Sequence, residues 1–248
     1  MSPEQFEDIT GIRKGTLEVI IGSPPCQTFS TIGVPKIKSL KNGDIETDPR
    51  NYLFNYFFNY ISYYRPEIFL MENVPGMKTK YKGKLFDRLI DLVLGLGYEP
   101  HIQIINSVEF GVPQVRKRLI LVGTKKGIKF KFHAPTHYCC EEKQVNIFTL
   151  DESKLQKATT VYDAISDLPK IYDGCREDEL PYSKDTNLTN YQIMIRNKNS
   201  TVRNNICRMS NDRAKKVFSY MSQGSKYMDL PKNVRQILPF REDIFPDA

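Results

Sequence analysis

Cys26 lies in Gly22-Ser23-Pro24-Pro25-Cys26-Gln27-Thr28-Phe29-Ser30, directly after the apolar run 17–21. A thiol on a Gly/Pro turn after a buried strand is a nucleophile candidate. Glu72 follows the apolar run Ile68-Phe69-Leu70-Met71 and leads into Asn73-Val74-Pro75-Gly76. Arg116 and Arg118 close the segment Gly111-Val112-Pro113-Gln114-Val115-Arg116-Lys117-Arg118, at the entry of another apolar run. One intervening residue puts both arginines on the same face of an extended chain. A thiol and a carboxylate at adjacent strand ends suit nucleophilic addition with acid assistance. Guanidinium groups beside them can bind an oxygen, a phosphate or a carboxylate, and can favour a thiolate. Each group also has a plain structural reading. Cys26 can be a turn residue, Glu72 a loop carboxylate, and the arginines a solvated edge.

The elements that must position these groups follow from hydrophobic spacing. Residues 17–21 and 67–71 read as buried strands, and 98–105 and 118–123 as two more. Residues 128–132 read as a short, more exposed strand. Residues 51–64 read as a helix, with Asp48 as cap and Pro49 at its first position, ending before Pro66. A second, amphipathic helix runs through Leu85, Leu89, Val93 and Leu96 to Gly95 and Gly97. Alternating strands and helices predict a layered α/β domain over 1–135 with a partly parallel sheet. Ligands of such sheets bind outside the carboxyl ends of the strands, where Cys26 and Glu72 fall. Residues 136–248 are more polar and read as a connecting region, with helices expected over 160–168 and 212–221.

The chain has 248 residues, 40% hydrophobic and 26% charged, an ordinary globular composition. No apolar run approaches the roughly 20 residues that span a bilayer, and no signal segment opens the chain. Five cysteines make an odd count without the spacing of a disulfide framework. A reducing cytoplasm and a free Cys26 thiol are the expectation. The net charge of +7, with lysines clustered at 36–41, 78–84 and 125–131, suits a polyanionic partner or simple solubility. His133-x-x-x-His137-x-Cys139-Cys140 lacks a second matching pair, so no metal is expected. Gly95-x-Gly97 follows a helix and is a helix stop. The aromatic stripe over 52–63 reads as core packing.

These motifs, in their order, resemble the DNA cytosine-5 methyltransferases. Pro25-Cys26-Gln27 with Phe29-Ser30 resembles the nucleophile motif, Glu72-Asn73-Val74 the carboxylate motif, and Gln114-x-Arg116-x-Arg118 the arginine motif. Asp48-x-Arg50-x-x-Leu53-Phe54 and Glu7-Asp8-Ile9-Thr10 are similar to two further motifs of that family. Weaker resemblance continues through 160–169 and 224–231. The resemblance implies a partial Rossmann-like, S-adenosylmethionine-dependent methyltransferase sheet with a mostly irregular or helical C-terminal extension. It implies addition of Cys26 to C6 of a flipped cytosine in double-stranded DNA, followed by methylation at C5. Glu72 would hold N3 and the exocyclic amine, Arg116 would contact O2, and Arg118 would support the site. Asp8, Ile9, Pro25 and Leu53 would line the S-adenosyl-L-methionine pocket. Gln27, Ser30, Asn73 and Gln114 would lie on substrate- or DNA-facing loops, with Asn73 ordering its own loop. The compact form without regulatory domains leans toward a prokaryotic or viral modification enzyme, in a restriction–modification system or another role. Against the family pattern, no Gly-rich cofactor loop precedes Glu7, and the chain stops about where target recognition should begin. The expectation is low methyl transfer by this chain alone, with a complementing subunit as partner. The competing expectation is a non-catalytic fragment that binds DNA or such a subunit.

Overall fold

The computed structural model describes residues 1–25, 49–138, 155–183, 187–196 and 198–237. By packing, the chain divides into two compact units, Met1–Ala158 and Thr159–Ala248.

The first unit opens with helix α1 (Pro3–Thr10), started by a Ser2/Gln5 capping box and stopped at Gly11. Strand β1 (Val19–Gly22), helix α2 (Phe54–Tyr64), strand β2 (Ile68–Asn73), the single turn α3 (Gly76–Thr79), helix α4 (Lys84–Gly95) and strands β3 (Tyr98–Asn106) and β4 (Lys117–Lys125) follow. Among the described residues the strands form a four-stranded sheet in the order β1-β2-β4-β3. β1 and β2 are parallel, with Val19 facing Ile68 and Gly22 facing Met71. β4 is antiparallel to both β2 and β3. Two short strands, β5 (His137–Tyr138) and β6 (Gln156–Lys157), pair in parallel.

Side chains alternate across a strand, so the two faces of this sheet differ. On one face Phe69, Met71, Leu119 and Leu121 are fully buried. They share a core with Phe54, Phe58 and Ile61 of α2 and Leu85, Leu89 and Val93 of α4. The i, i+4, i+8 spacing in α4 supplies one continuous apolar stripe. The Phe69 ring meets Phe58 at 5.5 Å and Tyr98 at 5.2 Å, both edge-on. Glycine is required at Gly22 and Gly123, where a Cβ would run into the rings of Phe57 and Phe69 respectively. On the other face Leu70, Ile120 and Val122 line an open groove of about 680 Å³ with Phe130 and Phe132.

Boundaries shift from the sequence expectation for identifiable reasons. The predicted 51–64 helix is a 3₁₀ turn, Pro49–Tyr52, followed by α2. It stops at Arg65, which adopts a left-handed φ of 52° ahead of Pro66. β2 runs two residues further than the apolar run because Glu72 and Asn73 pair with Ile120 and Leu119 of β4. The strand predicted over 128–132 is irregular chain. Phe130 packs on His101 at 5.2 Å and on Phe132 at 4.9 Å, so its apolar character comes from covering a sheet face rather than from a ladder.

The second unit contains α5 (Val161–Ile165), β7 (Glu179–Pro181), α6 (Asn190–Arg196), β8 (Thr201–Arg203), α7 (Asp212–Phe218) and α8 (Lys232–Arg235). β7 and β8 pair antiparallel. A small apolar cluster joins Val217, Leu230 and Val234. Polar ties supply much of the rest. Asp167, 3% exposed, pairs with Arg196 at 2.7 Å, and that guanidinium lies 3.8 Å from the Tyr182 ring centroid. Gln192, buried, donates to Ser166 and accepts from the Thr189 amide. Both predicted helices here are shorter than expected. The Thr160–Asp163 capping box starts α5, but only five residues follow, and α7 ends at Phe218.

Candidate active site

Parallel pairing of β1 with β2 brings the turns after both strands to the same edge of the sheet. Because Gly22 faces Met71, Ser23 arrives beside Glu72. The Ser23 hydroxyl donates to Glu72 Oε2 at 2.5 Å. From the other flank, Arg118 Nε lies 2.7 Å from Glu72 Oε1. Arg118 reaches it because Glu72 faces Ile120 in antiparallel register, which makes Arg118 a diagonal neighbour on the same face. The two side chains are 30% and 25% exposed, so the carboxylate is fixed yet open to a ligand. Arg118 Nη1 also donates to the Lys117 carbonyl at 2.8 Å.

Asn73, 2% exposed, sits one residue further along β2. Its Nδ2 donates to the Pro24 carbonyl at 3.3 Å, and its Oδ1 accepts from the Val74 amide at 2.9 Å. The last two residues of β2 therefore hold the third and second residues before Cys26. Cys26, Gln27 and Ser30 themselves lie outside the described residues.

Arg116 precedes β4 and is pinned through its backbone. Its amide donates to Asn106 Oδ1 at 3.1 Å, and its carbonyl accepts from the Ser107 amide at 3.1 Å and hydroxyl at 3.2 Å. Asn106 is 3% exposed. Earlier in this loop Gly111 has φ +82°, and a Cβ there would meet the His137 ring. The Thr136 amide donates to the Glu109 carbonyl at 2.9 Å. With its backbone fixed, the Arg116 side chain is exposed, as is that of Gln114.

Asp8 and Ile9 lie on α1, both exposed, Ile9 to 71%. Neighbouring residues of α1 anchor it to α2. Phe6 packs edge-on against Tyr60 and Tyr64, and Tyr63 donates to Glu7 Oε2 at 2.6 Å. That hydrogen bond, above all, pushes the Tyr63 hydroxyl up to about 12. Leu53 is half-buried just before α2, and Pro25 is exposed. Sequence reasoning missed Ser23 and Asn106. Ser23 carried a usable signal, its position one residue beyond a strand parallel to the carboxylate's. Asn106 carried none.

Among the described residues no group of three or more His, Cys, Asp or Glu side chains is placed to hold a metal ion, and no helix is long and apolar enough to cross a membrane.

A family model described as C-5 cytosine-specific DNA methylase matches residues 2–243. The type II methyltransferase M.Bpa9945I of Bacillus paralicheniformis is 28% identical over 242 residues, covering 90% of this chain and 51% of the relative. The type II methyltransferase M.AgeI of Thalassovita gelatinovora is 31% identical over 208 residues, covering 81% and 46%. The chain thus spans about half the length of the curated relatives it matches. A crystal structure of a prophage-encoded E. coli protein, described as a DNA modification methyltransferase, aligns with a TM-score of 0.59 at 22% identity, over 91% of this chain and 61% of that one. This likeness establishes the mixed α/β methyltransferase fold.

Proposed function

This chain belongs to the C-5 cytosine-specific DNA methylase family, and we propose that it supplies the reactive centre of a DNA (cytosine-5-)-methyltransferase. The observation that carries the reading is the Glu72 carboxylate, held between Arg118 and Ser23, which precedes Cys26 by three residues in the sequence. In the proposed reaction the Cys26 thiolate adds to C6 of a cytosine, forming an Sγ–C6 bond. The electrons of the C5=C6 bond are then available at C5, which an isolated cytosine does not offer. Glu72 binds N3 and the exocyclic amine, which selects cytosine and stabilises the adduct. Arg116, exposed on a fixed backbone, reaches O2. C5 takes the methyl group and loses its proton to a base. The Sγ–C6 bond then breaks, C5=C6 re-forms and Cys26 is free again. The ring must leave the duplex stack for this attack, and Gln27, Ser30 and Gln114 are proposed to meet the DNA around it. Asn73 orders the Cys26 turn through Pro24.

S-adenosyl-L-methionine, when bound, supplies an electrophilic methyl group. The exposed Asp8 carboxylate would suit an amine or hydroxyl of this group, and Ile9, Pro25 and Leu53 would offer apolar surface to its base. The net charge of +7 suits duplex DNA. A restriction–modification role in the cytoplasm is part of the same proposal, supported by the type II relatives. Their greater length supports a second reading, in which this chain acts only with a complementing polypeptide.

The test uses the gene product that contains this chain, expressed at its full encoded length. Labelled methyl transfer from S-adenosyl-L-methionine to duplex DNA should fall by at least about 10³-fold in Cys26→Ser. DNA containing 5-fluorocytosine should trap an adduct on Cys26. Transfer that survives Cys26→Ser, or no adduct on that residue, overturns the assignment.

A further inference from the structure

We propose that Ser23 is a positioning residue, fixing the Glu72 carboxylate from the side opposite Arg118 and linking its orientation to the turn that carries Cys26. The inference rests on the function proposed above. A glutamate side chain has three rotors, and the single bond from Arg118 Nε leaves the carboxylate free to turn about it. A second donor on the other oxygen fixes its plane. Ser23 is that donor, from the residue just after the neighbouring strand, while Arg118 donates from the strand on the far side. Among the described residues the Ser23 hydroxyl makes no other hydrogen bond, and its side chain is exposed, so packing does not explain it. The turn itself is held separately. Asn73 binds the Pro24 carbonyl, and two prolines stiffen the backbone before Cys26. Removing the Ser23 hydroxyl should therefore leave the turn in place and release only the carboxylate.

In the methyl-transferring protein, Ser23→Ala should lower kcat by about 10-fold, the scale of one hydrogen bond to a charged group. The KM for S-adenosyl-L-methionine should stay within about twofold, since no cofactor contact is lost. Ser23→Thr, which keeps the hydroxyl, should recover most of the loss. In a Glu72→Gln background, Ser23→Ala should add almost nothing, because the two act as one unit. A Ser23→Ala kcat within twofold of wild type overturns the proposal, as do losses that simply multiply with Glu72→Gln or a Ser23→Thr variant as slow as Ser23→Ala. Those outcomes leave the cytosine reading intact if Cys26→Ser is still dead. A wild-type protein without methyl transfer removes that reading and this inference together.

Discussion

The two units of this chain are stabilised by different physics. The first rests on large apolar side chains buried between a sheet face and two helices, with Phe69, Met71, Leu89 and Leu119 fully out of solvent. Among the described residues, the second has Val217, Leu230 and Val234 as its apolar cluster and relies on oriented polar contacts, including Asp167 with Arg196 and Asp173 with Lys215. Apolar burial scales with area and tolerates small shifts. Hydrogen bonds and ion pairs demand geometry and leave costly orphans when one partner goes. A site that must hold a carboxylate and a guanidinium at fixed separation is built on the first kind of support.

The largest effect expected from this contrast is at Phe69. Phe69→Ala should cost about 3–5 kcal/mol, by removing a ring that touches α2 and β3 together. Denaturant unfolding with hydrogen exchange read at β2 and β4 measures it, and a loss below about 1 kcal/mol would show that the first unit is not core-dominated. Next comes Asp167→Ala, expected to cost about 3 kcal/mol because it strands the largely buried Arg196. Exchange rates of α6 amides report it, and an unchanged rate would mean that the polar ties do not hold this unit.

The smallest effects are pH dependences of opposite sign. Tyr63 is raised from 10.0 to about 12, chiefly by its hydrogen bond to Glu7. The Tyr63–Glu7 contribution is thus complete below pH 10 and fades as pH climbs toward 12, loosening α1. Tyrosinate absorbance should follow that step, and Tyr63→Phe should remove it. Asp173 is lowered below 3.8, first by the Ser210 amide and then by the side-chain bond from Lys215. Its contribution is present above that value and disappears as pH falls through the lowered range. Asp173→Asn should flatten the acid limb of the second unit's exchange profile. Matching pH responses in both units would undo the contrast.

The same difference governs what could be read in the sequence. The strands and helices of the first unit announced themselves because burial demands apolar side chains, in continuous runs for β2 and β4 and at a spacing near four for α4. Glu72, Arg116 and Arg118 stood out because reactive groups at the ends of such runs are conspicuous. Ser23 meeting Glu72 went unread because the contact joins residues 49 apart, and only the parallel pairing of their two strands signals it. The Asn106 clamp on Arg116 is set by a crossing of β3 and the loop before β4, which no spacing encodes. Residues 128–132 misled because chain that covers a sheet is as apolar as a strand within one. In the second unit, polar ties have no period, so helices there were located but not measured in length.

Gly22 ends the strand that leads to Cys26, and the Phe57 ring occupies the space where any larger residue would put its first carbon. The two positions therefore cannot drift independently over evolutionary time. A lineage that acquires alanine at Gly22 while Phe57 is unchanged pays with a displaced strand end, whereas one that first reduces Phe57 to leucine opens the way to both changes. The order of substitutions, and not only their identity, decides which sequences around this strand end are reachable.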